Sequence, residues 1–255
     1  MGKYDGILLC SDFDGTLAVH GEVSEENAAA IRYFEENGGL FTMVSGRSAK
    51  HFKRFEGIFK PNTYICGYNG ALISDVDEKE IIYQSFVRDE LKEKHVRICR
   101  EVKDMEYFVL VYSDGEFAMK MAEMDYDALA EALKRDIYKI VYRVSSSVSD
   151  AVKAHIEEII GDSPYMVTRS GMQLIELQNA EACKGSAARR LADALGARKL
   201  VCVGDFENDI TMVEAADVGY AVDNACESLK AVADRMTVNV KDHAIAAVIE
   251  EIDRI

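Results

Sequence analysis

Apolar runs bounded by turn signals alternate with amphipathic stretches through the first part of the chain. Ile7-Leu8-Leu9-Cys10 reads as a buried strand. A loop through His20 leads to Ser24-Glu25-Glu26-Asn27, a helix start with acidic residues in its first turn. That helix runs through Ala28, Ile31 and Phe34 and stops at Gly38-Gly39. Leu40 to Val44 predicts a second buried strand, ending at Ser45-Gly46-Arg47. A Lys- and Phe-containing helix should follow, and Tyr64-Ile65-Cys66 predicts a third strand, ending at Asn69-Gly70. This βαβαβ rhythm predicts a parallel, doubly wound sheet.

The texture changes at residues 72–78. Tyr107 to Val111 and Phe117 to Met121 read as a hairpin around Asp114-Gly115. Tyr138 to Val144 is a further strand, and the helix of Val152, Ile156 and Ile160 is stopped by Gly161. Tyr165 to Thr168 and Gln173 to Leu177, split by Ser170-Gly171, predict a second hairpin. Strands paired through hairpins, with helices on one side, indicate an α+β domain. After Asn179 the first texture returns: a helix over Lys184 to Leu195, a strand Leu200 to Val203 running into Gly204-Asp205, a helix, the strand Val218 to Val222 and two closing helices. The expected fold is therefore α/β, a Rossmann-like core of residues 1–72 and 180–255 interrupted by an α+β domain of residues 73–179.

The 255 residues give ample material for a buried core. A net charge of -15 argues against a phosphate-backbone binder, which needs a basic stripe, so no nucleic-acid partner is expected. An anionic substrate would need a local cationic device. The six cysteines show no CxxC, and Cys10, Cys66 and Cys202 lie in or beside apolar runs, as buried core residues do. The five histidines are scattered without metal-ligand pairing. Neither a signal peptide nor a membrane span is legible, so a reduced cytoplasmic setting is expected.

Asp12-Phe13-Asp14-Gly15-Thr16 places two carboxylates just past the first strand, where α/β sheets place ligands. One could attack an electrophile and the other shuttle a proton, with a metal holding their charges together. Ser45, Lys184, and Asp205 with Asn208 and Asp209 fall at other strand ends or on a helix leading into one. Asp205, Asn208, Asp209 and Met212 are spaced i, i+3, i+4, i+7, which predicts that the polar three share the first turn of one helix. Singly, these are ordinary residues: a cap, a turn-former, a solvated helix start. Converging on one edge of a sheet, they predict a site.

The motif set resembles the haloacid dehalogenase superfamily of phosphohydrolases, specifically its Cof-type members with a large α+β cap. Asp12-Phe13-Asp14-Gly15-Thr16-Leu17, Val44-Ser45-Gly46-Arg47, Lys184-Gly185 and Gly204 to Met212 carry the resemblance in order, and Asn69-Gly70-Ala71 fits the subgroup. Ser45 replaces the commoner Thr, and Ser11 is more polar than usual with no assigned role. The resemblance implies that Asp12 is the nucleophile, forming an aspartyl-phosphate, and that Asp14 is the general acid and base. It implies Mg²⁺ held by Asp12, the Asp14 carbonyl and Asp205, with Asp209 orienting Lys184 or metal waters. Ser45, Gly46, Lys184 and Asn208 would receive the phosphate. Mg²⁺ and Lys184 would offset the three carboxylates that otherwise repel a phosphate dianion.

The substrates implied are sugar phosphates or similar small phosphomonoesters, with the cap as a lid. Arg47 and Asn69, and in the cap Arg169 and Glu176, are candidates for reading the leaving group. A phosphomutase on the same scaffold is the alternative enzyme. A phospho-acceptor signalling domain is disfavoured by the second carboxylate, at Asp14, and by the inserted domain.

Overall fold

The computed structural model describes residues 2–253. The chain divides into two units: one made of the chain up to Gln84 with the chain from Lys184 onward, the other of Ser85–Cys183. In the first, β1 (Ile7–Ser11) leads through the short hairpin β2 (Ala18–Val19) and β3 (Glu22–Val23) to α1 (Glu25–Glu36) and β4 (Leu40–Met43). A 3₁₀ helix over Ala49–Phe55 and the strands β5 (Ile65–Gly67), β6 (Leu72–Ser74) and β7 (Ile81–Gln84) close its first half. The second unit holds α2 (Asp89–Glu101), β8 (Met105–Tyr112), β9 (Gly115–Lys120), α3 (Tyr126–Ala132), β10 (Lys139–Val144), α4 (Ser149–Ile160), β11 (Tyr165–Gly171) and β12 (Leu174–Asn179). The first unit resumes with α5 (Lys184–Leu195), β13 (Lys199–Gly204), α6 (Ile210–Ala215), β14 (Val218–Ala221), α7 (Glu227–Lys230), β15 (Arg235–Met236) and α8 (Ala244–Ile252).

The first unit's sheet runs β15-β14-β13-β1-β4, all parallel. Leu9 on β1 lies opposite Phe41 on β4 and Val201 on β13. The chain leaves β1 toward β4 on one side and returns as β13 on the other. The carboxyl end of β1 is therefore a topological switch point, where such sheets open a ligand crevice. The pleat sorts the core into two layers. Leu9, Phe41, Met43, Val201 and Val203 pack with Ile31 and Phe34 of α1 and Val248 of α8. Leu8, Cys10, Leu200 and Cys202 pack on the other face with Ala188 and Leu191 of α5 and Met212 of α6. Helix α1 is capped by the Ser24 side chain, which accepts from the Asn27 amide. Buried Asn27 donates to the Leu17 carbonyl and accepts from the Ala246 amide, tying the loop after β1 to α1 and α8.

One local expectation is sharpened and two are corrected. The helix after Arg47 is 3₁₀, because Ala49, Phe52 and Phe55 recur every third residue and all three are buried, the period of a three-residue turn. The third strand, β5, touches the parallel sheet only through a bridge between Cys66 and Val44, and pairs antiparallel with β6. Residues 73–84 pack with the first unit, not with the α+β unit, because β6 and β7 continue that antiparallel sheet.

The second unit is one antiparallel sheet, β11-β12-β10-β8-β9. Alternate residues Phe108, Leu110, Ile140, Tyr142, Ile175 and Leu177 pack with Leu91 and Ile98 of α2, Leu129 of α3 and Val152 and Ile156 of α4. Among the described residues, no helix is long and apolar enough to cross a membrane.

Candidate active site

The loop after β1 is held by its backbone. The Asp12 amide donates to the Val203 carbonyl at 3.0 Å, and the Ser11 hydroxyl donates to the Asp12 carbonyl at 2.6 Å, which gives Ser11 a role. Phe13 is buried among Phe52 and Phe55. Asp12 beside that anchor is inside, 6% exposed, whereas Asp14, past the end of β1, is turned outward with its side chain 51% exposed. Gly15 then turns the chain at φ +89°.

Ser45, at the end of β4, is buried. Its amide donates to the Cys66 carbonyl and its own carbonyl accepts from the Asn69 amide. With Gly46 and Arg47 it forms a loop against the β5–β6 connection, where Tyr68, Asn69 and Gly70 all have positive φ. Two consecutive non-glycine residues in the left-handed region mark stored strain, which clusters at functional sites.

Lys184 opens α5 and is 1% exposed. Its Nζ donates to Asp12 Oδ1 at 2.7 Å and to Asp209 Oδ1 at 2.6 Å. Gly185 permits this placement: a Cβ there would stand 2.1 Å from the Thr211 carbonyl oxygen, so α5 can approach α6 only with glycine. Asp209 is fully buried, and its Oδ2 accepts from the Asp205 and Phe206 amides.

The expected single helix turn carrying Asp205, Asn208 and Asp209 is not observed. Asp205 lies in the loop after β13, and Asn208 and Asp209 lie in the 3₁₀ turn Glu207–Asp209 before α6. Asp209 gathers the cluster by receiving the loop's amides, not through helical spacing. Sequence reasoning left Thr16 without a role; its hydroxyl donates to Asp205 Oδ1 at 3.0 Å. It also missed Asn224, which donates to the Gly15 carbonyl from 209 residues away, a distance at which local pattern carries no signal.

Charge is unbalanced at the centre. Burial, then the charges of Asp209 and Asp14, push the Asp12 carboxyl up to about 7, although Lys184 pulls it down. Burial, then Asp12 and Asp209, push Asp205 up to about 8, against Lys184 and the Thr16 hydrogen bond. Burial disfavours the Lys184 ammonium, but Asp12 and Asp209 outweigh it and hold its pKa above the usual lysine value. Asp12, Asp205 and Asp209 bring carboxylate oxygens within 4.8 Å of one another. Three carboxylates against one ammonium leave two negative charges, which a divalent cation would offset. An all-oxygen donor set suits a hard cation. Asp209 has both oxygens engaged, so Asp12 and Asp205 are the carboxylates open to such an ion.

The remaining candidates are engaged as follows. Arg47 is bound to Asp14, Nε to Oδ2 at 2.6 Å and Nη2 to Oδ1 at 2.7 Å. Asn208 Nδ2 donates to Asn69 Oδ1 at 3.3 Å. In the second unit, Arg169 pairs with Asp150 at the start of α4. Glu176 is buried, 2.8 Å from Lys139 Nζ, and accepts from the Ser170 hydroxyl. Arg169 lies opposite Ile175 in the hairpin, and Glu176 opposite Thr168, so the pleat sends them to opposite faces.

The chain matches the haloacid dehalogenase-like hydrolases over residues 9–249. It is 26% identical to Phosphatase YwpJ of Bacillus subtilis (strain 168), covering 94% of this chain and 97% of that one. It is 21% identical to 5-amino-6-(5-phospho-D-ribitylamino)uracil phosphatase YitU of the same organism, covering 96% of each. Among solved structures, the HAD subclass IIB sugar phosphatase BT4131 superposes with a TM-score of 0.82 at 18% identity, over 97% of this chain and 99% of that one. The parallel sheet with its switch point, the acidic loop of β1 and the family match over nearly the whole chain agree. The chain belongs to the haloacid dehalogenase-like hydrolases.

Proposed function

We propose that the protein hydrolyses small phosphomonoesters, sugar phosphates or similar, with Mg²⁺ through an aspartyl-phosphate on Asp12. The observation that carries this reading is Lys184 Nζ bridging the buried carboxylates of Asp12 and Asp209 at the switch point of the sheet. The ammonium fixes one oxygen of Asp12 and presents positive charge where a phosphoryl group would arrive. Asp12 attacks phosphorus and the ester bond breaks. Asp14 delivers a proton to the leaving oxygen, then takes one from the water that cleaves the acyl-phosphate. Ser45 and the Gly46 amide hydrogen-bond the transferring phosphoryl, with Asn208 at its edge. Asp209 keeps Lys184 charged and in position. Asp12, Asp205 and the Asp14 carbonyl would hold Mg²⁺, which supplies charge neutralisation for the phosphate oxygens. Sugar phosphates are favoured by the likeness to BT4131, and the YitU name extends the range to phosphorylated polyol chains.

Phosphate release from a panel of small phosphomonoesters, with Mg²⁺ and with EDTA, tests the reading. Mg²⁺-dependent turnover that disappears in Asp12→Asn supports it. Absence of both release and phosphoenzyme across the panel sinks it, and a stable phosphoenzyme without turnover transfers support to a mutase.

A further inference from the structure

We infer that Arg47 is a positioning residue for Asp14 and does not read the leaving group; this rests on the phosphatase reading above. The guanidinium makes both hydrogen bonds to the Asp14 carboxylate, the fork-to-fork geometry that sets the plane as well as the place of its partner. Asp14 needs such a device. It is an exposed loop residue next to a glycine turn, with its side chain half in solvent.

Arg47 is itself held. Its carbonyl accepts from the Tyr68 amide at 2.9 Å, its amide donates to Ser45 Oγ at 3.3 Å, and its guanidinium stands 5.6 Å from the Phe13 ring. A Cβ on Gly67 would come within 3.1 Å of the Arg47 carbonyl, so the β5 backbone packs closely on this loop. The arginine therefore transmits the position of the β4 and β5 ends to a carboxylate on the β1 loop. A carboxylate has about four acceptor positions. Two taken by Arg47 leave one on each oxygen, free to carry the proton that Asp14 donates to the leaving-group oxygen or to accept one from water.

A role exercised through Asp14 has a kinetic signature. An ester with a poor leaving group needs a proton as its bond breaks, whereas an aryl phosphate such as p-nitrophenyl phosphate does not. Arg47→Gln should lower the rate of Asp12 phosphorylation by alkyl phosphates about 10²-fold, the scale of a misplaced catalytic group. Phosphorylation by p-nitrophenyl phosphate should fall less than tenfold, with KM little changed. Arg47→Lys should not restore the alkyl rate, because a point charge cannot replace the fork.

The test is rapid-quench phosphorylation with both ester types for wild type, Arg47→Gln, Arg47→Lys, Asp14→Asn and the double variant Asp14→Asn with Arg47→Gln. Thermal melts establish that each variant is folded. In the Asp14→Asn background, Arg47→Gln should add less than a threefold loss, since its effect runs through Asp14. Additive losses, equal losses with both esters, a change confined to KM or full rescue by lysine would overturn the assignment while leaving the phosphatase intact. A wild type that neither phosphorylates nor releases phosphate overturns both.

Discussion

Gly15 and Asp205 come together so closely that a Cβ on residue 15 would stand 2.5 Å from Asp205 Oδ2. Gly15 also has φ +89°, a region that side chains with a Cβ rarely adopt. One glycine thus serves the turn that exposes Asp14 and the space that Asp205 occupies. Gly15→Ala should displace Asp205 and cost about 1–3 kcal/mol of backbone strain. Mg²⁺-dependent turnover should fall about 10–100-fold through the shifted carboxylate. Mg²⁺ titration of activity reads this, and an unchanged Mg²⁺ requirement would count against Asp205 as a ligand.

Lys184→Met removes the only cation hydrogen-bonded to Asp12 and Asp209 among the described residues. Leaving a buried charge uncompensated costs about 3–5 kcal/mol. The urea midpoint should drop accordingly, and adding Asp209→Asn should recover part of the loss. A drop of less than about 1 kcal/mol would show that the centre tolerates its charge without Lys184.

The acidic centre should make metal-free protein less stable as pH rises. Asp12 and Asp205 have folded values near 7 and 8, above the ordinary 3.8. Between those limits the folded state retains protons that the unfolded state has released, so stability falls from about pH 4 to about pH 8. A bound divalent cation competes with those protons. The rise in Tm on adding Mg²⁺ in place of EDTA should therefore grow across this window. A Mg²⁺ effect independent of pH would contradict the assignment.

His95 in the second unit predicts the opposite sign. It is fully buried, with Nδ1 2.8 Å from the Tyr142 hydroxyl, and burial lowers its pKa to about 3. The unfolded state takes up a proton near pH 6.5 that the folded state refuses, so this unit loses stability as pH falls from 6.5 toward 3. The loss is on the order of 4 kcal/mol at the acid end. His95→Gln, which keeps an acceptor for Tyr142, should flatten the acid limb of a urea-midpoint profile. An unchanged limb would assign acid sensitivity to other groups.

Much of this architecture was legible because its signals are local. A strand buried on both faces must be apolar throughout, as Ile7 to Cys10 and Leu200 to Val203 are, and a helix must announce its start, as Ser24 does by capping α1. The motif residues were legible for a related reason: loops at strand ends need few side chains, so a carboxylate, hydroxyl or lysine there stands out. The period-three spacing of Ala49, Phe52 and Phe55 was equally present in the sequence, and it gives that helix its 3₁₀ form.

Sequence by itself determined the parallel core and the interruption by an α+β segment, and it nominated Asp12, Asp14, Ser45, Lys184, Asp205 and Asp209 as candidates. Tertiary structure decided the partnerships. Arg47 belongs to Asp14, Thr16 to Asp205, Asn224 to the Gly15 carbonyl, and Asp209 gathers its loop by accepting amides. It also assigned residues 73–84 to the core and sent Arg169 and Glu176 to opposite faces of one hairpin. The reason is common to all of these. Hydrophobic periodicity is written residue by residue along the chain, whereas a hydrogen bond between distant segments depends on how strands and helices pack, and no local pattern records it.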